Sequence, residues 1–523
     1  MSFARAIATV GGITMVSRVL GFVRDMLMAR YLGAGPAADA FFVAFRLPNL
    51  FRSLFAEGAF TAAFLPMFSG TLQKEGHDSA KGLAEEALAF MVALLLLFSA
   101  VIALAMPLVV SVMATGFTDD PGQFALAVSM SQVMFPYLAL ISLTALLGSI
   151  LNALGRYGPF AAAPVLLNIV QITGLLASQP LGLPVHWVLA WGVPVAGVAQ
   201  LVWMILACRR AGMVVRLRRP KLTPRVKKLF ALLAPGILGA GVYQFNLLIG
   251  TNLATWLPTG AVSYLQYADR LNQLPMAVVG VAVGTALLPL LSRQITAEDH
   301  EGARTSLSRG MEFAALLGLP AAVALIAIPD ALIHVLFEGG AFGADAARAT
   351  ADALQAYAIG IPAFIAAKIL STAYFARQDT KGPVRVAVVV LLGNVGVSLA
   401  LIGPLGHVGL ALAPGLTAWL NVALLAIGLR RRGLLQLDPR LAGRLARITA
   451  AAALMGGLAW GLGWALQPWL YSTAPGVKVL ALAGLIGAAM VGYGLFCLAL
   501  GAARLGELKG LLRRRGGGAP PAA

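Results

Sequence analysis

Four arginines lie within long apolar stretches of the sequence, where a positive charge is costly: Arg18, Arg24, Arg52 and Arg270. An arginine at the centre of a bilayer costs about 2.5–3.5 kcal/mol on insertion scales, so a group of them needs water, a partner or a ligand. Guanidinium groups bind phosphate oxygens bidentately, and apolar surroundings strengthen that contact. The pattern therefore predicts an electropositive cavity that binds an anion, with a diphosphate head group as the natural candidate.

Other charged residues nearby allow simpler interpretations of part of this set. Asp25 could form an ion pair with a neighbouring arginine, and Asp269 lies beside Arg270. Three more could mark helix ends at the membrane surface: Arg30, Asp39 and Arg46. Neither interpretation accounts for all four arginines, because cations outnumber carboxylates among these residues. The second half of the chain lacks counterparts for most of the arginines. We therefore expect most of the positive charge of the cavity to come from the first half.

The spacing of Arg18 and Arg24 limits how they can share one cavity. Six residues correspond to about 120° around an ideal helix. The two side chains can face the same cavity if it is wide, or if the helix bends at Gly21 between them.

Signs of catalysis or metal binding are weak in this sequence. It contains no P-loop motif, no His-Glu-x-x-His and no Gly-x-Ser-x-Gly. The five histidines lack ligand spacing, and the two cysteines, Cys208 and Cys497, lie in apolar runs. We therefore expect a protein that is not an enzyme and that holds no resident metal or cofactor.

The composition is that of an integral membrane protein. Of 523 residues 59% are apolar and 11% are charged, and the mean hydropathy is +0.85, whereas a soluble chain carries roughly 25% charged residues. At about 20 apolar residues per crossing, an all-α fold with about fourteen transmembrane helices is expected. The spans are 6–31, 38–68, 83–114, 124–154, 159–178, 184–208, 226–257, 261–291, 306–337, 346–376, 383–402, 407–429, 445–466 and 477–500.

Basic residues are concentrated in alternate connections between these spans. The densest cluster is the basic linker, residues 211–225, and further cations follow at 293–304, 377–381, 430–444 and 513–515. Such loops mark the cytoplasmic side, and an even number of spans places both termini there. The net charge of +18 then reflects topology, with some contact to anionic lipid head groups, rather than nucleic-acid binding.

An internal repeat of roughly 220–225 residues is visible in the sequence. The segment 64–66 (FLP) returns at 287–289 (LLP), and the loop 77–81 returns at 300–304. Six spans separate the copies, so the halves have the same orientation, and transporters built from such parallel repeats bind substrate between them near the midplane.

The repeat divides the chain into five expected regions. They are a six-helix lobe at 1–210, the basic linker at 211–225, a second six-helix lobe at 226–432, two additional helices at 433–503, and a basic, then disordered, cytoplasmic tail at 504–523.

Several short motifs lie in the first block of the chain and in its second half: 17–25 (SRVLGFVRD), 33–35 (GAG), 39–41 (DAF), 46–50 (RLPNL), 55–60 (FAEGAF), 64–66 (FLP), 267–271 (YADRL) and 377–379 (RQD). These motifs resemble the MurJ/MviN lipid II flippases of bacteria, a family in the multidrug/oligosaccharidyl-lipid/polysaccharide (MOP) exporter superfamily. The resemblance covers nearly the whole chain and is most specific in the first block.

This resemblance implies two six-helix lobes followed by two extra helices that form a groove for a polyprenyl tail. It also implies that Arg18, Arg24, Arg52 and Arg270 line the central cavity and are needed for function. Motif residues expected to support that cavity are Asp25, Asp39, Asn49, Glu57 and Asp269. Some members of the family bind sodium in the second lobe. Here only loose candidates exist for such a site: Asn246, Asn252, Asn394 and Asn421.

The implied activity is movement of undecaprenyl-diphosphate-linked disaccharide-pentapeptide from the inner to the outer leaflet, for peptidoglycan synthesis. We expect a monomer in the bacterial inner membrane, with lipids and cell-wall synthesis enzymes as further partners and sodium or the membrane potential as driving forces. Three alternatives remain. A flippase for another polyprenyl-linked glycan would use the same cationic cavity, a cation-coupled drug exporter would need an acidic one, and a non-transporting scaffold would tolerate loss of the arginines.

Overall fold

The computed structural model of this chain describes residues 3–52, 60–282, 287–431, 433 and 438–502. Glu57 and the tail at 504–523 lie outside the described residues. Within the described ranges the chain is helical, with β structure limited to an isolated bridge between Gly339 and Phe342. The all-α fold expected from the sequence is confirmed.

The chain divides into two compact units. The first unit comprises Met1–Gln266 and Gly339–Ala346, and the second comprises Tyr267–Glu338 and Ala347–Ala523. The lobe boundaries expected from the sequence repeat stay a prediction.

The first unit contains ten complete α-helices, the start of an eleventh and a short 3-10 helix within its described residues. They are α1 (Phe3–Leu32), α2 (Pro36–Phe51), α3 (Phe60–Glu75), α4 (His77–Leu104), α5 (Met106–Met113), the 3-10 helix Thr115–Asp119, α6 (Pro121–Met134), α7 (Tyr137–Ala153), α8 (Gly158–Ser178), α9 (Val185–Arg210), α10 (Pro224–Ala254) and the beginning of α11 (Ala261–Ala282). Helix α8 packs against α1 and α9, while α2 packs against α6.

The second unit contains the rest of α11 and nine further helices within its described residues. These are α12 (Leu288–Thr296), α13 (His300–Ala327), α14 (Pro329–Leu336), α15 (Ala344–Ala358, whose first residues belong to the first unit), α16 (Ile361–Phe375), α17 (Lys381–Arg431), α18 (Pro439–Ala465), α19 (Gln467–Leu470) and α20 (Pro475–Ala499). Helix α13 packs against α16 and α18, and α18 packs against α20.

Helix starts are set by local sequence signals. At three starts a capping side chain accepts a hydrogen bond from the first helical turn and proline occupies the first position, where its missing N–H costs nothing. The pairs are Asp120 and Pro121 for α6, Thr223 and Pro224 for α10, and Asp438 and Pro439 for α18.

Glycines permit close packing between helices of the second unit. A Cβ placed on Gly456 of α18 would lie 2.4 Å from a methyl carbon of Val323 on α13. A Cβ on Gly492 of α20 would lie 2.4 Å from a methyl carbon of Leu458 on α18. In lipid, association between helices depends on such close van der Waals packing. The two additional helices, α18 and α20, are thus fitted to α13 and to each other.

Nine helical segments of the described residues are long and apolar enough to cross a membrane. One of them, α17, contains Gly406 with a non-helical φ of 56°, which separates two of the spans expected from the sequence. These segments support a multi-pass membrane protein. The count of fourteen crossings stays a prediction.

Candidate functional site

Arg24 and Asp25 form a buried ion pair on α1. The Oδ1 atom of Asp25 accepts hydrogen bonds from Nη2 of Arg24 at 2.7 Å and from Nε at 3.1 Å. Only 8% of Arg24 and 6% of Asp25 is exposed. A buried cation requires such a partner, so the ion pair considered for Asp25 from the sequence is present.

Asn168 on α8 binds the other side of the Arg24 guanidinium. Its Oδ1 accepts a hydrogen bond from Nη1 of Arg24 at 3.1 Å, and its Nδ2 donates to the backbone carbonyl of Ser17 at 2.9 Å. Asn168 is 5% exposed and also lies against Gly21 of α1. One amide therefore fixes both the backbone of α1 and the orientation of Arg24. Sequence reasoning missed Asn168, because a single amide in an apolar helix belongs to no motif.

Arg18 has different surroundings from Arg24. Helix α1 is continuous from Phe3 to Leu32, and Arg18 is exposed on it while Arg24 is buried. This agrees with the separation of about 120° expected for six residues of a regular helix.

Arg52 is half-buried at the end of α2. Its Nε donates a hydrogen bond to Oδ1 of Asn49 at 3.3 Å, and Nδ2 of Asn49 donates to the carbonyl of Phe45 at 3.1 Å. Asn49, expected to support the cavity, therefore orients Arg52.

Arg270 lies on the part of α11 that belongs to the second unit and is half-buried. Its neighbour Asp269 accepts a hydrogen bond from Gln273 one helical turn later. Arg18, Arg24 and Arg52 all lie in the first unit.

Asp39 anchors the start of α11. Its carboxylate accepts hydrogen bonds from the backbone N–H of Gly260 at 2.6 Å, from the N–H of Ser263 at 2.9 Å and from Oγ of Ser263 at 2.5 Å. Asp39 is 2% exposed. We call this group, Asp39 with Gly260 and Ser263, the Asp39 junction. A carboxylate at a helix N-terminus satisfies unpaired N–H groups and favours the positive end of the helix dipole.

Two further hydrogen bonds in the first unit have backbone N–H donors. The N–H of Ala341 donates to the carbonyl of Arg30 at 2.8 Å, which joins the segment Gly339–Ala346 to the end of α1. The N–H of Gly116 donates to Oγ1 of Thr255 at 3.1 Å. A Cβ on Gly116 would lie 2.0 Å from the carbonyl oxygen of Thr255, so this position accepts only glycine without a shift.

Two of the three residues considered as helix-end markers lie at helix ends. Arg30 is in the last turn of α1 and Asp39 is in the first turn of α2. Arg46 instead lies within α2 and is half-buried, and its Nε donates to Oγ1 of Thr251 on α10 at 3.0 Å. Its polar partner on α10 explains this difference from the sequence expectation.

The described residues contain no group of three or more His, Cys, Asp or Glu side chains that could hold a metal ion. Among the loose sodium candidates, Asn252 donates to the carbonyl of Val112 at 2.8 Å and accepts from Thr115 at 3.1 Å. Oδ1 of Asn394 lies 3.5 Å from the hydroxyl of Thr417. Asn252 thus contributes to contacts between helices.

The arrangement around Arg24 can bind an anion. A guanidinium carries five N–H donors, and three of those on Arg24 are used by Asp25 and Asn168. The remaining donors can bind phosphate oxygens. The Asp25 carboxylate balances the positive charge of this guanidinium.

Solved structures of transporters share this fold. A structure described as lipid II flippase MurJ in an inward closed conformation matches with a TM-score of 0.77 at 22% identity, covering 94% of this chain and 99% of that chain. An inward-facing multidrug resistance MATE family transporter of the MOP superfamily matches with a TM-score of 0.69 at 15% identity, covering 82% of this chain and 98% of that one. At these identities the likeness establishes the fold alone.

Sequence relationships are closer. The family model described as "Lipid II flippase MurJ" matches residues 28–480. A probable lipid II flippase MurJ of Rhizobium tropici is 42% identical over 523 residues, covering 98% of this chain and 97% of that protein. A lipid II flippase MurJ of Burkholderia cenocepacia is 39% identical over 464 residues, covering 88% of this chain and 90% of that protein. The chain belongs to the lipid II flippase MurJ family.

Proposed function

We propose that this protein moves lipid II, the undecaprenyl-diphosphate-linked peptidoglycan precursor, from the inner to the outer leaflet of the bacterial cytoplasmic membrane. The observation that carries this proposal is the match to lipid II flippases across nearly the full chain. The protein acts as a transporter by alternating access, in which a binding site opens to one side of the membrane at a time. It performs no covalent chemistry.

The distribution of charge supports an assignment of membrane sides. The basic linker joins α9 to α10, and basic residues end α9 and α17. These segments face the cytoplasm, and both termini lie on the same side. The Asp39 junction then lies on the periplasmic side, since α1 begins in the cytoplasm and α2 begins after its far end.

The arginines supply the anion site in this proposal. Arg24 and Arg52 bind the diphosphate, Arg18 adds positive charge in the first unit, and Arg270 is a further candidate for substrate binding in the second unit. Asp25 and Asn168 hold Arg24 in place until phosphate oxygens bind to its remaining donors. A diphosphate offers several oxygens to the guanidinium, including bidentate pairs, so substrate can replace part of the ion pair.

The Asp39 junction acts as a periplasmic closure in this proposal. Its three hydrogen bonds hold the beginning of α11 against α2 while the site is open to the cytoplasm. They break when the site opens to the periplasm. Hydrogen bonds to a charged group contribute about 1.5–3 kcal/mol each, so the closure is strong yet reversible.

The remaining features of transport are also proposals. The protein works as a monomer, and α18 and α20 guide the polyprenyl tail. The membrane potential, which favours movement of cationic groups, or a sodium gradient resets the empty carrier. Cell-wall synthesis enzymes receive the lipid on the periplasmic side.

Substitution of the four arginines in a bacterium that depends on this protein tests the proposal. Arg18→Ala, Arg24→Ala, Arg52→Ala and Arg270→Ala should each abolish cell-wall synthesis and growth while the protein stays folded in the membrane. Arg293→Ala, which removes an exposed arginine at the end of α12, should support normal growth. Growth of all four cavity variants would contradict the anion-site mechanism and favour a scaffold role.

A further inference from the structure

The basic linker is held by glutamates of α3 and α4. The backbone N–H of Arg216 donates to Oε1 of Glu85 at 3.1 Å, and Nε of Arg218 lies 2.5 Å from Oε2 of the same carboxylate. Glu85 is completely buried. The middle of the linker is therefore fixed to the third turn of α4 through a single glutamate.

Two more acidic residues fix the end of the linker. The hydroxyl of Thr223 donates to Oε2 of Glu86 at 2.7 Å, and Nη2 of Arg225 donates to Oε2 of Glu75 at 2.9 Å. Thr223 also caps α10. These contacts hold the linker and the first turn of α10 along the α3–α4 hairpin.

The contacts divide the cations between residues 218 and 228, at the end of the linker and the start of α10, into two sets. Arg218 and Arg225 point toward glutamates. A second set is exposed and forms no ion pair with a carboxylate in the described part of the chain: Arg219, Lys221, Lys227 and Lys228. We call these four residues the outward cations. A cytoplasmic loop needs positive charge to set the orientation of the membrane helices. That requirement does not explain why these four cations are not paired with the nearby glutamates.

Large apolar side chains are exposed next to the outward cations. Leu217 is 64% exposed and Leu222 is 56% exposed, although the linker has buried positions such as Met213. Exposed leucines beside lysine and arginine are typical of segments that lie in the membrane interface, with apolar side chains in the acyl boundary and cations at the phosphates. The linker follows directly from the membrane helix α9, so the lipid head groups are within reach.

We propose that the basic linker and the start of α10 form a membrane-surface segment that binds the phosphates of anionic phospholipids through the outward cations and inserts Leu217 and Leu222 at the interface. The glutamates of α3 and α4 set its depth. The ligand is a lipid head group of the leaflet at the end of α9, and the inference is independent of which substrate the protein transports.

Spin labels on the full-length protein in lipid nanodiscs test this placement. Leu217→Cys and Leu222→Cys are introduced separately, with Cys208→Ala and Cys497→Ala removing the two native thiols. In discs containing phosphatidylglycerol, both labels should be more accessible to oxygen than to a water-soluble nickel chelate. A label at Pro220, an exposed linker position between them, serves as the control that should remain in water.

Neutralisation of the outward cations tests the ligand. Replacing all four with glutamine should weaken phosphatidylglycerol binding, measured by native mass spectrometry, roughly tenfold or more, because each surface cation adds to the attraction. The matched control replaces four exposed cations elsewhere with glutamine: Lys74, Arg293, Lys381 and Arg385. It should weaken phosphatidylglycerol binding less and leave the labels at 217 and 222 at the same depth.

Three outcomes would overturn the proposal. Labels at 217 and 222 could prove fully accessible to the nickel chelate in anionic discs. The two sets of glutamine variants could lose lipid equally, which would mean that only general surface charge matters. Inorganic phosphate in detergent could protect the labels as well as lipid does, which would identify a soluble anion as the ligand.

Discussion

At the scale of single residues, the Arg24 guanidinium donates hydrogen bonds to one carboxylate, Asp25, and to one amide, Asn168. The ion pair with Asp25 lowers the cost of burying the guanidinium in the absence of substrate. Asn168 adds a neutral acceptor that holds the group without cancelling more of its charge. A second carboxylate in place of that amide would compete with an incoming phosphate. In the proposed mechanism the neutral residue at position 168 therefore preserves affinity for anions.

We predict that Asn168→Leu reduces lipid II binding by roughly tenfold, the equivalent of about one hydrogen bond to a charged group. The reason is that Arg24 loses one partner and α1 loses its hydrogen bond at Ser17. Binding by the purified protein is the measurement. The control is Gln171→Leu, one turn along α8, whose amide donates to the carbonyl of Leu189 instead. Equal losses in the two variants would mean that Asn168 only stabilises the helix pair.

A second prediction at this scale concerns Asp39. Asp39→Asn keeps the shape but places an amide donor against N–H groups, so the Asp39 junction should weaken by about 1.5–3 kcal/mol. Val262, 7% exposed beside Ser263, provides the measurement as Val262→Cys. Its reaction with a membrane-impermeant maleimide should become roughly tenfold faster or more in the Asp39→Asn background. Asp119→Asn, at an exposed carboxylate, should change nothing; an unchanged rate in Asp39→Asn would remove the periplasmic closure from the mechanism.

Part of this residue-scale picture could be predicted from the sequence, and part could not. Arg24, Asp25 and Asp39 are visible because charge in an apolar run is rare and costly. Their partners are not, since Asn168 is 144 residues from Arg24 and Ser263 is 224 residues from Asp39. Glu85 was missed because a glutamate near a helix end looks like an ordinary surface residue, whereas its burial depends on the linker that covers it.

At the scale of elements, apolar length predicts the helices well. The expected spans 159–178 and 477–500 correspond closely to α8 and α20. Breaks within spans are harder to predict, because they depend on packing: the expected span 83–114 is divided at Ala105 between α4 and α5. The contacts around the 3-10 helix that follows α5 also could not be predicted, since they involve the distant end of α10.

The contact between this 3-10 helix and the end of α10 leads to the element-scale prediction. Gly116→Ala places a Cβ against the backbone of Thr255 and Trp256, which cannot move as a flexible side chain does. Overpacking of this kind costs about 1–3 kcal/mol. Hydrogen exchange of residues 252–260 should become faster, and thermal stability should fall. Gly250→Ala on α10, where a Cβ meets nothing within 4 Å, is the control; protection equal to that of the native protein in Gly116→Ala would contradict the tight contact.

At the scale of the whole molecule, composition, repeat and charge pattern predict a transporter with a cationic site, and membership of the lipid II flippase MurJ family agrees with that prediction. The number of membrane crossings and the lobe boundaries follow from sequence periodicity and stay predictions. The proposed mechanism depends on the arginines: three of the four lie in the first unit, and one of these, Arg24, is paired with Asp25. In that mechanism an anionic lipid head group supplies negative charge to the site.

The most direct test of this account is the accessibility of labelled lipid II in each leaflet of membranes that contain the protein as their only flippase. With the native protein, lipid II made on the cytoplasmic side should become accessible to a periplasmic probe, and Arg293→Ala should behave in the same way. Arg24→Ala should keep the lipid inaccessible although the protein is present and folded. Full periplasmic accessibility with Arg24→Ala, or none with the native protein, would contradict the central claim.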